Sequence, residues 1–180
     1  MQKEATKEKI QKAFLDLISE KAFHKISIKK ICERADINRS TYYYYYYEQH
    51  EILAEIIDEL LTLIIDEYFP IEKQDLRRTL FCSVFQIYRN RKKLKVIMSS
   101  TCETELMHAW YLRCQKQCVY YQDGILLPEE YRDWHGDFAF YGIYSIYRRW
   151  IMEDCKQSEE NICKVLENAI QNLYDSYQNS

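Results

Sequence analysis

The stretch SIKKICERADINRSTYYYYYYEQHEIL, residues 27–53, decides how this chain folds. Ser27 is a good N-cap for a helix whose apolar positions follow helical spacing up to Ala35. The segment Asp36-Ile37-Asn38 then breaks the pattern, and Asn38 can cap a second helix that runs to about Tyr45. The stretch therefore predicts two short helices that are joined by a tight turn.

An amphipathic helix precedes this pair. Its apolar residues recur at i, i+3, i+4, i+7 and i+8, and they are Ile10, Ala13, Phe14, Leu17 and Ile18. Thr6 is its expected N-cap. Three such helices form the helix-turn-helix pattern, whose last helix enters the major groove of DNA.

The N-terminal end of that last helix carries the side chains that would read bases. Small or hydrogen-bonding residues are required there, because they must approach base edges and phosphates. Arg39 can form a bidentate contact with guanine, and Ser40 and Thr41 are small enough for close approach. Asn38, Arg39, Ser40 and Thr41 are the predicted base-reading residues.

Six consecutive tyrosines follow, Tyr42–Tyr47, and they cannot all have one role. At about 100° per residue they point to all sides of a helix. Tyr42 and Tyr46 are predicted to pack inward, whereas Tyr43, Tyr44 and Tyr45 are predicted to contact DNA. Ser27 and Lys29 are predicted phosphate contacts, since they lie at a helix N-terminus.

At these residues the sequence resembles the tetracycline-repressor (TetR) family of transcription regulators. The similarity covers Thr6 to Leu53, and residues 27–53 are its most specific part. That family shows a small polar cap, an Ala-Gly-Val-like turn and a Thr-aromatic-Tyr-Tyr-x-Phe helix. The resemblance implies an all-α fold, with an N-terminal three-helix DNA-binding domain and a C-terminal helical domain for ligand binding and dimerisation.

The chain departs from the family pattern at three positions. Asp36 stands where the turn glycine is usual, and Asp tolerates left-handed backbone geometry at some cost. Gln49 replaces a basic residue that contacts phosphate in the family, and Glu48 adds negative charge beside it. Each lost phosphate contact weakens affinity. An interaction protein that kept this fold and lost DNA binding therefore remains an alternative.

The rest of the chain is also predicted to be helical, since only 3 Gly and 2 Pro occur in 180 residues. A fourth helix runs from near Gln49 to about Tyr68, and five more are predicted at 74–89, 92–100, 103–122, 129–154 and 158–178. About nine helices result. The predicted domains are 1–48 for DNA binding and 49–180 for effector binding and dimerisation.

Charge is distributed unevenly along the chain. Residues 1–50 contain ten Lys/Arg and seven Asp/Glu, whereas residues 51–180 contain fifteen and twenty-one. A mildly basic N-terminal segment followed by an acidic remainder is compatible with DNA binding by the N-terminal segment. The charged N-terminus lacks an apolar signal core, and no membrane span is visible, so a cytoplasmic protein is expected.

No enzymatic chemistry is predicted. The sequence contains no credible nucleophile–base pair, no Gly-rich phosphate loop and no metal motif, so neither a catalytic residue nor a cofactor is expected. Cys114 and Cys118 share one helix face, but no CxxC pair or adjacent His supports a metal site there. We interpret them as structural thiols.

The chain after residue 50 is rich in aromatic residues, which suits a core or a pocket for a flat organic ligand. The family resemblance implies an unknown small-molecule effector, and Phe85, Trp110 and Tyr141 are the predicted ligand contacts. It also implies a homodimer through helices 129–154 and 158–178. Such a dimer would match a palindromic double-stranded operator. The wide apolar stripe on the last helix could instead cover the core.

Overall fold

A computed structural model describes residues 2–66, 76–122 and 132–178. Three helices come first: α1 (Gln2–Glu20), α2 (Ile28–Ala35) and α3 (Arg39–Tyr45), with a short 3₁₀ turn at Phe23–Lys25. α4 (Gln49–Leu61) continues as a π-helix over Thr62–Asp66. The remaining helices are α5 (Leu76–Met98), α6 (Glu103–Gln122), α7 (Arg132–Met152) and α8 (Glu159–Gln178). No strand occurs in these ranges, so the all-α prediction is confirmed.

Eight α-helices occur in the described residues, where the sequence predicts about nine. A single helix, α5, replaces the predicted helices 74–89 and 92–100. The junction contains neither Gly nor Pro, and the side-chain amide of Asn90 donates to Gln86 O in the same helix at 2.9 Å. Buried Ile87 and Leu94 lie seven residues apart on one face, which favours continuity across the junction.

α1 begins earlier than the sequence pattern predicts. It starts at Gln2, so Thr6 lies inside the helix rather than at its N-cap. The residues between them are mostly good helix formers, which explains the extension.

The chain packs as two compact units. The first comprises Met1–Leu60 and Lys92–Leu106, and the second comprises Leu61–Arg91 and Met107–Ser180. The units are defined by packing, whereas the predicted domains 1–48 and 49–180 are defined by function. The domain boundary therefore stays a prediction.

Each unit has its own apolar core. The first buries side chains from all of α1–α4, among them Phe14, Ile31, Tyr42 and Ile56. The second buries a largely aromatic set that includes Trp110, Phe140, Tyr144, Tyr147 and Trp150. None of the helices in the described ranges combines the length and apolar character needed to cross a membrane.

Candidate nucleic-acid interface

The turn between α2 and α3 is built around Asp36. This residue has φ 53° and ψ 54°, which is the left-handed region. Its backbone N–H donates to Cys32 O, and the N–H of Ile37 donates to the same oxygen at 3.1 Å. These two hydrogen bonds satisfy the Cys32 carbonyl at the C-terminus of α2, where the helix ends. Asp36 thus performs the task of the glycine that is usual in such turns.

Asn38 caps α3, as the sequence predicts, and its Oδ1 gathers three donors. Thr41 N–H and Ser40 Oγ each donate to it at 2.7 Å, and Thr41 Oγ1 donates at 2.8 Å. The two hydroxyl hydrogens are therefore engaged within the protein. The hydroxyl oxygens can still accept, so Ser40 and Thr41 suit the amino group of adenine or cytosine.

Arg39 occupies the first position of α3 and is exposed. In the described part of the chain its guanidinium forms no ion pair or hydrogen bond with another side chain. Burial raises the pKa of the nearby Cys32 thiol, and the positive charge of Arg39 opposes this rise without cancelling it. The five N–H donors of Arg39 are thus available to an external acceptor.

The N-terminus of α2 presents Ser27 and Lys29. Ser27 Oγ accepts from the backbone N–H of Lys30 at 3.4 Å, which confirms its predicted capping role. Lys29 Nζ lies 3.8 Å from Glu33 Oε1, and both side chains are more than half exposed. Such a pair contributes little in water, so a phosphate can compete for the Lys29 ammonium.

A surface cleft of about 440 Å³ lies between α2 and the start of α3. Its lining includes two cations, Lys29 and Arg39, and two carboxylates, Glu33 and Asp36. The charges balance formally. The cleft is therefore less positive than the family resemblance implies for a DNA-binding face.

The tyrosine run divides as the helical spacing predicts. Tyr42 is fully buried and Tyr46 is 4% exposed, whereas Tyr43 and Tyr44 are 50% and 64% exposed. Tyr45 is half-buried. The outer hydroxyls are thus presented to solvent, and their contact with DNA stays a prediction.

A polar network holds the end of α3 against α1 and α4. Tyr46 OH donates to Glu55 Oε2 at 2.5 Å, and Lys7 forms an ion pair with the same carboxylate. Gln11 Nε2 donates to Glu59 Oε1 at 3.1 Å beside it. Partial burial opposes ionisation of Glu55, but the bonds from Lys7 and Tyr46 outweigh it and lower its pKa. This network is not predictable from the sequence, because its members on α1 and α4 lie far apart in the chain.

The three predicted ligand contacts occupy different environments in the second unit. Trp110 is buried, and its ring stacks on that of Tyr147 with centroids 6.0 Å apart. Tyr141 is 49% exposed and stacks on Tyr111, whereas Phe85 is 44% exposed below the Arg89 guanidinium. The structure thus does not place the three side chains in one enclosed environment, and their ligand contacts stay predictions.

Comparison with known proteins identifies the family. A family model described as a transcriptional regulator C-terminal region of TetR type matches residues 78–172, which is more than half of the chain. This chain belongs to the TetR family of transcriptional regulators. A comparison with curated proteins gives no match.

The fold of this TetR regulator is also similar to a solved structure, the dihydroxyacetone kinase operon activator DhaS. The two chains are 21% identical, the alignment covers 96% of this chain and 97% of that chain, and the TM-score is 0.64. At this identity the likeness shows a shared fold.

Gln49 is one of the three positions at which the chain departs from the family pattern. Its side-chain amide donates to Ile26 O at 3.2 Å, so it ties the start of α4 to the connection before α2. The side chain thereby has a structural role at this junction.

No group of three or more potential metal ligands occurs among the described residues of the TetR chain. Cys114 is half-buried, and the side chain of Cys118 lies outside the described residues.

Proposed function

We propose that the protein binds a palindromic DNA operator as a homodimer and represses transcription until a small-molecule effector releases it. The observation that carries DNA binding is the N-terminal end of α3. There Asn38 holds Ser40 and Thr41 in place, while Arg39 stays exposed and free of intramolecular partners in the described residues. A preorganised cap beside an available guanidinium suits major-groove recognition.

Each predicted contact has a chemical role in this proposal. Arg39 donates two hydrogen bonds to a guanine edge, and Ser40 and Thr41 accept from a base amino group. Ser27 and Lys29 bind a backbone phosphate at the N-terminus of α2. The exposed hydroxyls of Tyr43 and Tyr44, with Tyr45 beside them, donate to further phosphate oxygens.

Dimerisation would use α7 and α8, the helices predicted at 129–154 and 158–178. On α7, Trp134, Phe138 and Tyr141 lie at i, i+4 and i+7 and are 76%, 70% and 49% exposed. On α8, Val165 is also exposed at 49%. Contiguous exposed apolar side chains mark interaction sites, and a two-fold interface on helices suits a palindrome. Sedimentation velocity should give the mass of a dimer, and Phe138→Glu should yield a monomer.

An effector would act through the aromatic second unit, where Phe85, Trp110 and Tyr141 are the proposed contacts. It can shift the regulator between states only if it binds one state better than the other. A promoter–reporter assay with and without the gene would then distinguish repression from activation.

The decisive experiment is a selection of genomic fragments on the immobilised full chain, followed by fluorescence anisotropy with the recovered duplexes. The proposal expects salt-sensitive binding that prefers the recovered sequence over a scrambled duplex of the same length. The absence of such binding at low salt would refute it.

A second candidate, a TetR-fold co-regulator without DNA binding, is favoured by the acidic residues of the same surface. Glu33 and Asp36 line the cleft beside Arg39, and exposed Glu48 follows the tyrosine run. Such a protein would capture a partner protein, and Arg39→Ala would leave that capture unchanged. The same selection experiment distinguishes the candidates, since a co-regulator recovers no preferred duplex.

A further inference from the structure

The C-terminal end of α3, the proposed recognition helix, lacks a basic residue of its own. From Ser40 to Glu51 the chain contains no Lys or Arg, and it carries Glu48 and Glu51. Arg39 lies at the opposite end of α3, and the Gln49 side chain is bonded to Ile26 O. If α3 enters the major groove, its C-terminal end needs a cation from elsewhere in the fold to meet the DNA backbone.

The fold brings Lys3 to this place from the first turn of α1. Lys3 Nζ lies 5.1 Å from the centroid of the Tyr44 ring, and both side chains are exposed. The next cation along α1, Lys7, is engaged by Glu55. Lys3 is therefore the cation that α1 can offer at the exposed face of the tyrosine run.

The contact with the Tyr44 ring leaves the positive charge of Lys3 available to DNA. A cation–π contact orients an ammonium group over a ring without neutralising it, whereas a carboxylate partner would cancel the charge. A hydrogen bond with Tyr44 also raises the pKa of Lys3, so this contact favours the ammonium form. The Tyr44 hydroxyl supplies a further donor beside the ammonium.

We propose that Lys3 and Tyr44 together bind one DNA backbone phosphate at the C-terminal end of α3. This phosphate site supplies the positive charge that Gln49 lacks, and it rests on the proposed DNA-binding function. The ammonium supplies the charge, and the ring fixes its position.

The test uses the full chain and two fluorescein-labelled duplexes, one recovered by genomic selection and one scrambled. Anisotropy over a salt series gives the slope of log K against log[salt]. Lys3→Gln should weaken binding to both duplexes and reduce the slope by about 0.9, the contribution of one phosphate. Lys3→Arg should keep the slope, and Tyr44→Phe should weaken binding with little change in slope.

Lys12→Gln is the matched control. Lys12 is exposed on the same helix, nine residues further on and therefore about 180° around it from Lys3. Equal slopes for Lys3→Gln and Lys12→Gln, with normal binding by the wild type, would overturn the phosphate site alone. A wild type that binds neither duplex would refute the proposed function and the site with it.

Discussion

The Tyr46 hydroxyl donates a 2.5 Å hydrogen bond to Glu55 Oε2, and this bond links the residue after α3 to α4. Burial and the bond to Glu55 both raise the pKa of Tyr46, which keeps it a donor at any physiological pH. The orientation of α3 thus depends in part on a polar contact.

Tyr46→Phe should destabilise the fold. The substitution keeps the ring and removes a hydrogen bond to a charged group, which is worth about 2 kcal/mol. Urea unfolding followed by circular dichroism measures the change. Tyr47→Phe is the matched control, because Tyr47 is 80% exposed, and it should leave the midpoint unchanged. Equal midpoints for Tyr46→Phe and the wild type would contradict the structural importance of the bond.

Tyr42→Phe should have the opposite effect. Tyr42 is fully buried, and its hydroxyl has no hydrogen-bonding partner in the described part of the chain. A buried unsatisfied hydroxyl costs about 1 kcal/mol or more, so its removal should raise the free energy of unfolding by that amount. Thermal and urea unfolding of the two single variants provide the comparison. A loss of stability in Tyr42→Phe would mean that the hydroxyl is satisfied.

The helix-turn-helix was predictable from the sequence because its signals are local. Ser27 and Asn38 cap the helices that follow them, and Tyr42 and Tyr46 are buried one turn apart, as their spacing indicates. Capping and helical periodicity depend only on near neighbours in the chain. These features could therefore be assigned without the fold.

The features that the sequence did not predict depend on distant residues. Lys3 reaches Tyr44 across 41 positions, and Gln49 bonds to Ile26 across 23. Such contacts become visible only once the helices are packed. The continuity of α5 is a separate, local case: the charged residues near Asn90 resemble a loop, although Ile87 and Leu94 keep helical spacing across them.

Asp36→Gly should stabilise the turn before α3. Asp36 adopts φ 53°, and left-handed geometry costs an L-residue about 1 kcal/mol that glycine does not incur. The free energy of unfolding should rise by up to that amount. Asp36→Asn is the control for charge, since Asn tolerates the same geometry, and it should unfold like the wild type. A glycine variant less stable than the asparagine variant would contradict the strain at this residue.

Stability should fall in alkali. Burial raises the pKa of Tyr42, Tyr46 and Tyr147 above the ordinary value of 10.0. Each stays neutral in the folded state while its unfolded form ionises, so stability is complete below pH 10 and is lost as the pH rises further. The loss is about 1.4 kcal/mol per pH unit for each such tyrosine. Urea unfolding at several alkaline pH values gives the free energy of unfolding as a function of pH. This free energy should fall less steeply with pH for Tyr147→Phe than for the wild type, and an equal dependence on pH would contradict the prediction.

Arg39→Ala and Lys29→Ala should separate base reading from phosphate binding. Arg39 is free to form a bidentate contact with guanine, which is worth about 1–3 kcal/mol, so its loss should weaken the selected duplex far more than a scrambled one. Lys29 is expected to contact phosphate, so Lys29→Ala should weaken both duplexes alike and lower the salt slope by about one. Glu33→Gln should strengthen binding to both duplexes, because it removes the carboxylate 3.8 Å from the Lys29 ammonium and leaves that positive charge available to the DNA. Anisotropy with both duplexes measures all three variants, and uniform weakening by Arg39→Ala would contradict its role in base recognition.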